Sequence, residues 1–268
     1  MILEVLGSVQ DGGAPHLGCT CDVCEKTRED PSLPGLISSL LLKENDDEDS
    51  AKYLIEATPD IRLQITGEFL DGVFLPHAKL GPIGGFEFFG EEGLDANMLT
   101  TYCNSDVEHY LMNNDPYRRM VDRGNIEIQG FDDGDSVRLQ GTQIKALTYE
   151  HPHLGHKATA YKIIGENKTV FYLPDTNEWT ERQLKEIEEA DIAIIDGTFW
   201  NEDEIDRYNE VPHPTIEESM VRFKNYDTEI YFTHLNHTNP ALREDSDERK
   251  ELEENGFGVA VMDMEFDL

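Results

Sequence analysis

The chain has 268 residues, 38% of them hydrophobic, with 56 acidic against 22 basic residues and a formal net charge of −34. That length can bury a sizeable core, while the charge excludes nucleic acid and anionic membrane surfaces as partners, because no basic stripe is available to neutralise phosphates. An acid-rich, lysine-poor surface points to a halophilic source, where concentrated salt screens self-repulsion.

Residues 1–9 read as a strand with neither a basic n-region nor a cleavage site, so no secretory signal is expected. No apolar run approaches the ~18 residues of a membrane span, and a cytoplasmic location is expected. The loop over 10–18, with three glycines and Pro15, turns the chain ahead of Cys19, Cys21 and Cys24. Residues 38–43 and 52–57 predict a hairpin, with the acidic stretch 44–49 as a solvated tip. Thr58-Pro59-Asp60 marks a turn and 61–66 a short helix. The apolar run 72–75 predicts a buried strand that stops at Pro76-His77. Residues 84–90 begin a helix or loop, and 105–112 are helical. Strands are expected over 126–131 and 136–139, around a turn at 132–135. Another over 144–148 opens onto His151, His153 and His156. Residues 158–164 and 169–173 should pair across a turn, the second strand ending at Pro174-Asp175. A charged helix is expected over 181–189, an apolar strand over 192–195 ending at Asp196, and a helix over 215–223 just after His213-Pro214. The run Ile230-Tyr231-Phe232 leads to His234, and 258–264 alternates like a strand. With neither repeats nor a linker, a single domain over 1–268 is expected.

Two groups of residues carry chemistry. Three cysteines within six residues suggest metal rather than disulfides in a chain without a secretory signal. A structural zinc takes four nitrogen or sulfur ligands in a tetrahedron, so one more is needed; His16 is the local candidate and His237 the distant one. Three free surface thiols side by side are the competing explanation, disfavoured by their reactivity. The second group lies at strand ends: His77, His151, Asp175, Asp196 and His234. Singly, each histidine reads as a hydrogen-bonded structural residue, and Asp175 or Asp196 as a helix cap. Jointly, imidazoles and a carboxylate at successive strand ends are what a hydrolytic metal site requires. His213, ahead of a helix N-terminus, could donate a proton or contact an anion. Because side chains alternate along a strand, His234 and His237 are expected to serve two separate metal positions.

The motifs Gln10-Asp11-Gly12-Gly13 with the cysteine knuckle, Ala57-Thr58-Pro59-Asp60, Asp196-Gly197-Thr198-Phe199-Trp200, Pro212-His213-Pro214 and His234-Leu235-Asn236-His237-Thr238-Asn239-Pro240 span nearly the whole chain. In them the chain resembles the metallo-β-lactamase fold and, more narrowly, the pyrroloquinoline quinone biosynthesis protein B family. The resemblance implies an α/β (α+β) protein, an αββα four-layer sandwich of two facing mixed β-sheets with helices outside. It implies that His237 completes a structural zinc with Cys19, Cys21 and Cys24. His77, His151, Asp175 and His234 would hold an active-centre metal, with His213 and Asp175 catalytic. The fold's metal motif, His-x-His-x-Asp-His, is degraded here, since Lys79, Gly81 and Pro82 follow His77 at its last three ligand positions. One zinc or iron is then expected in place of two metals, or an ion pair from Lys79 to Asp175 in a metal's place. The implied activity is a metal-dependent hydrolase of phosphodiesters or other esters, or an oxygen-using hydroxylase of quinone cofactor biosynthesis. Its substrate would be a small or peptide-derived molecule. The alternative is a non-catalytic member that keeps the structural zinc and binds a ligand or protein. The oligomeric state is left open, a homodimer included.

Overall fold

The computed structural model describes every residue except 31–34, 46–49, 68, 152–154, 207 and 212. The described strands, in chain order, are β1 (Ile2–Gly7), β2 (Ser39–Lys43), β3 (Lys52–Ile55), β4 (Gly72–Leu75), β5 (Leu99–Cys103), β6 (Ile126–Gly130), β7 (Ser136–Leu139), β8 (Thr142–His151), β9 (His156–Ile164), β10 (Thr169–Leu173), β11 (Ile192–Asp196), β12 (Glu229–Thr233), β13 (Gly258–Val259) and β14 (Glu265–Asp267). They form two seven-stranded sheets, ordered β14-β1-β2-β3-β4-β5-β6 and β13-β12-β11-β10-β9-β8-β7. Each sheet passes from an antiparallel half to a parallel half: β3 to β6 run parallel in the first, β10 to β13 in the second. Parallel neighbours need crossovers, and these carry most of the helices. They are α1 (Asp22–Glu29), α2 (Ile61–Gln64), α3 (Leu80–Ile83), α4 (Ser105–Asn113), α5 (Asp115–Arg123), α6 (Glu181–Glu188), α7 (Ile216–Phe223) and α8 (Asp247–Glu254). None of the described helices is long and apolar enough to cross a membrane.

Strand alternation explains the layers. In β10, Val170 and Tyr172 enter the core between the sheets with Leu3, Leu40, Phe74 and Ile194. Phe171 and Leu173 face outward, onto Ile187, Ile216, Phe223 and Leu252 of α6, α7 and α8. A strand buried on both faces has no polar side to show, hence the uninterrupted apolar run of β11. The first sheet's outer face is covered likewise: Leu54, Val73 and Leu75 pack against Ile83, Phe86, Val107, Leu111 and Met120. The result is the four-layer αββα sandwich. Its helices start at polar caps, as where Asn104 accepts the N–H groups of Asp106 and Val107 ahead of α4.

The β2–β3 hairpin pairs antiparallel, Leu40 opposite Ile55, while part of its acidic tip, 46–49, lies outside the described residues. Two expectations change. The tail is not one strand over 258–264. Only Gly258–Val259 joins the second sheet; the chain turns at Asp263, whose φ of 65° breaks extension, and β14 pairs with β1 in the other sheet. The turn expected at 132–135 forms, the Asp135 N–H donating to Asp132 O at 3.0 Å, and it carries the chain between sheets, β6 and β7 being far edges of different ones. The sequence reading does not mark α1, α3, α5, α8 or the strands β5 and β14. In α1 and α5, only Cys24 and only Met120 are buried, so no apolar periodicity marks them. In β5, Thr100 and Thr101 interrupt the apolar run.

Candidate functional site

The N-terminal loop is tied by backbone to the segment that follows β12. Val9 forms a parallel bridge to Leu235, the Gln10 N–H donates to Leu235 O at 2.9 Å, and the Leu235 N–H donates to Ser8 O at 2.9 Å. This lays the cysteine loop beside the residues after β12. One ligand atom each from Cys19, Cys21, Cys24 and His237 lies within 4.8 Å of the others. His237 Nδ1 stands 3.6 Å from both Cys21 Sγ and Cys24 Sγ. Zn–S and Zn–N bonds of ~2.3 and ~2.0–2.1 Å at a tetrahedral angle span about 3.6 Å, so the donor set fits zinc. Backbone N–H groups of Cys21 and His16 donate to Cys19 Sγ and Cys24 Sγ at 3.4 and 3.2 Å, as thiolates require. The Cys21 N–H lowers the Cys19 thiol pKa, whereas burial pushes Cys24 up to about 12, so its thiolate needs a cation beside it. His16 is not in the four-atom set; it stacks on the His237 ring at 4.4 Å.

A second cluster lies at the other end of the same loop, where strands from both sheets finish. His77 follows β4, His151 ends β8, Asp175 follows β10, Asp196 ends β11, and His234 follows β12. Asp175 is the hub. Its Oδ1 lies 3.0 Å from His151 Nε2 and 3.8 Å from His213 Nδ1, and its Oδ2 3.5 Å from His77 Nε2. The structure therefore brings His77, His151, Asp175 and His213 together. His234 joins them through Asp175 and Asp196, with ligand atoms of the three within 4.8 Å of one another. His234 has a left-handed φ of 60°, a strain on the order of 1–3 kcal/mol for a non-glycine residue. Its neighbours hold it there: its N–H donates to Ser38 Oγ at 2.9 Å, Nδ1 lies 2.9 Å from Thr198 Oγ1, and Nε2 lies 3.3 Å from Asp11 Oδ1. His234 and His237 thus point to different clusters.

Asp196 and Asp11 were not assigned to the site from sequence. The sequence places Asp196 in the strand-end group, with a helix cap as its reading taken singly, and gives it no role of its own. It is fully buried, and its oxygens accept the N–H groups of Thr198 and Thr176, each at 2.8 Å, and stand 2.8 Å from His213 Nδ1. With those bonds made, Asp196 is better suited to orienting His213 than to binding metal, despite its place in the three-atom group. The expected pairing of Lys79 with Asp175 is absent among the described residues. Asp175 is surrounded by imidazoles, while Lys79 is half-buried as N-cap of α3, its N–H donating to His77 Nδ1 at 3.4 Å. His153 lies outside the described residues.

Burial lowers the His77 pKa to about 4, so that ring is neutral. For His234 burial acts the same way, but the Asp11 hydrogen bond and the surrounding carboxylates outweigh it and raise the pKa to about 9. His213 is raised against its burial by Asp196. The carboxyl of Asp175, which burial alone would push up, is held well below the usual range by the His151 hydrogen bond and the other imidazoles.

Beneath the cluster lies Glu56, buried, with a φ of 74° and Oε1 accepting the Tyr172 hydroxyl at 2.8 Å. Burial raises its pKa from 4.5 to about 8. The folded state therefore keeps a proton that the unfolded chain gives up, and stability falls as pH rises from 4.5 through about 8. At 1.36 kcal/mol per unit the fall is on the order of 3–5 kcal/mol. Glu56→Gln removes this loss, so urea unfolding at pH 6 and pH 9 should show the variant's advantage growing with pH. An advantage that does not change with pH contradicts the assignment.

A family model described as "Beta-lactamase superfamily domain" matches residues 52–235. Coenzyme PQQ synthesis protein B of Methylococcus capsulatus is 27% identical to the chain, over 99% of each. Zn(2+)-bound PqqB from Methylobacterium extorquens superposes with a TM-score of 0.84 at 23% identity, over 100% of both chains. A diphosphatase from the PhnP family superposes at 0.73 and 21%, over 99% of this chain and 96% of that one. These two likenesses establish the fold.

Proposed function

The chain belongs to the beta-lactamase superfamily, and from that premise we propose that it is a one-metal enzyme of quinone cofactor synthesis that hydroxylates a peptide-derived substrate. The observation that carries the reading is the Asp175 carboxylate, with imidazoles of His151, His77 and His213 at 3.0, 3.5 and 3.8 Å, while positions 79, 81 and 82 offer no ligands for a second metal. Relatives named for coenzyme PQQ synthesis, similar over their full length, support the pathway. A mixed imidazole and carboxylate set suits a single iron or zinc. His77, His151, Asp175 and His234 would hold it, and Cys19, Cys21, Cys24 and His237 a separate structural zinc. Iron would supply oxygen chemistry, zinc an activated water.

The chain's own residues bind the substrate's reacting end and move a proton. His77, neutral by burial, keeps a lone pair for a metal at neutral pH. His213, its pKa raised and its ring aimed by Asp196, is the proton donor. His213→Asn should lower turnover by ~10²–10⁴-fold and leave metal content unchanged, as measured by steady-state kinetics with elemental analysis; loss of metal along with activity would move His213 from donor to ligand. Ester hydrolysis is the second reading, favoured by the same His213–Asp196 pair, which would protonate a leaving group.

Metal per chain, in wild type and in His77→Ala/His234→Ala, tests the whole scheme. A second metal that disappears in the double variant supports the centre, and its identity with the product mass separates hydroxylation from hydrolysis. About one zinc in both proteins means only the cysteine site is loaded, and the proposal falls.

A further inference from the structure

Gly81 lies within the short helix α3, where glycine is disfavoured relative to alanine. Its φ is not in the left-handed region, so backbone conformation does not call for glycine. Space does. A Cβ on Gly81 would fall 2.2 Å from Oδ1 of Asp11 and 2.9 Å from its Cγ, closer than any side chain tolerates. The volume that a side chain at position 81 would claim is held by a carboxylate from 70 residues earlier in the chain.

The route by which Asp11 arrives is built into the backbone. Val9 bridges Ile37 on one side and Leu235 on the other, which places the following residues at the end of β12. The chain then turns tightly, the Gly13 N–H donating to Gln10 O at 2.8 Å and the Gly12 N–H to Gln10 Oε1 at 3.3 Å. Within this turn Asp11 directs its largely buried carboxylate at His234 Nε2, 3.3 Å away. Thr198 holds the other nitrogen of the same ring. On α3 nothing competes for the place, since Gly81 and Pro82 carry no polar side chain and Lys79 makes no ion pair among the described residues.

We propose that Asp11 is a positioning residue of the active centre that takes the place of an acid at position 81, setting a negative charge beside the metal position that His234 Nε2 faces while Thr198 holds Nδ1 of that ring. Residues 11 and 81 then form an exchangeable pair: the acid can come from either position, but not from both. The proposal rests on the reading that the Asp175 centre holds a metal.

The test uses the full chain with its cysteine site zinc-loaded and cobalt(II) as the probe metal, titrated into Asp11→Asn, Asp11→Gly, Gly81→Asp and the exchange Asp11→Gly/Gly81→Asp. Asp11→Asn keeps the shape of the side chain and should fold, yet bind cobalt roughly 10–100-fold more weakly, the usual cost of losing a residue that orients a ligand. Gly81→Asp alone should lose at least as much through the clash, and the exchange should recover most of the affinity. Cobalt binding by Asp11→Asn equal to wild type, or an exchange variant no better than the weaker single, overturns the proposal. If wild type takes up no cobalt, the metal reading itself falls. The pair is then judged by melting temperature, where recovery in the exchange supports it and no recovery overturns it.

Discussion

Cys21→Ser will release the zinc and lower the melting temperature of the protein by roughly 6–20 °C. The site joins two segments 216 residues apart, the loop after β1 and the loop after β12, so its ligands meet only in the folded chain. Binding energy at such a site is folding energy, about 10–16 kcal/mol in isolated zinc-finger peptides. Here two sheets already hold most of the structure, and a net loss of about 3–5 kcal/mol is expected. At roughly 2–4 °C per kcal/mol for a domain of 150–250 residues, that yields the stated drop. The variant also leaves Cys24, buried and inclined to stay protonated, without a cation to ionise it. Calorimetry with zinc per chain measures both effects. A variant that melts with wild type and keeps its zinc refutes the assignment. Since the same backbone bridge from Val9 to Leu235 also delivers Asp11 to His234, the active centre should loosen along with the zinc site.

Asp175→Asn will abolish metal binding at the active centre and lower turnover by at least about 10³-fold, the scale lost when a group central to stabilising the transition state is removed. The substitution preserves shape and deletes charge. Asp175 is 4% exposed and receives imidazoles from three sides. Without its charge, the protonated His234 ring loses a counter-ion in a buried place, a penalty of about 3–5 kcal/mol for a broken buried pair. The pH dependence has a definite sign. The folded-state pKa of Asp175 is depressed, so its contribution is present above the ordinary carboxylate value of 3.8 and is lost as pH falls below it. The stability gap between wild type and variant, measured in urea with the active-centre metal removed, should be wide at pH 7, begin to narrow below pH 3.8 and go on narrowing as pH falls further. A gap that is constant with pH would show that Asp175 acts through packing alone.

What could be read from sequence was local in origin. Strand runs such as 72–75 and 192–195 announce burial on both faces, because a parallel strand has no polar side. His77, Asp175 and His234 stood out because polar residues directly after such runs have left the core and reached the sheet's edge. The cysteine knuckle was legible from spacing alone. Short, charge-rich helices such as α1 and α5 were not, since one buried residue in two turns leaves no period to detect.

That His237 rather than His16 meets the cysteines is tertiary. Both are imidazoles within reach of the loop in principle, and only the bridge between Val9 and Leu235 settles which one meets Cys21 and Cys24. Asp175 and Asp196 end neighbouring parallel strands and look alike in sequence. Backbone N–H groups of Thr176 and Thr198 and the ring of His213 engage Asp196, which leaves Asp175 to His77 and His151. Gly81 reads in sequence as the loss of an acid; in three dimensions it is the opening through which Asp11 enters. Residue type and strand periodicity determine which groups this chain can bring to a site and at which end of its sheets. Which of them touch is decided by contacts between segments tens to hundreds of residues apart, and those follow from the packing of the two sheets, to which no local pattern is sensitive.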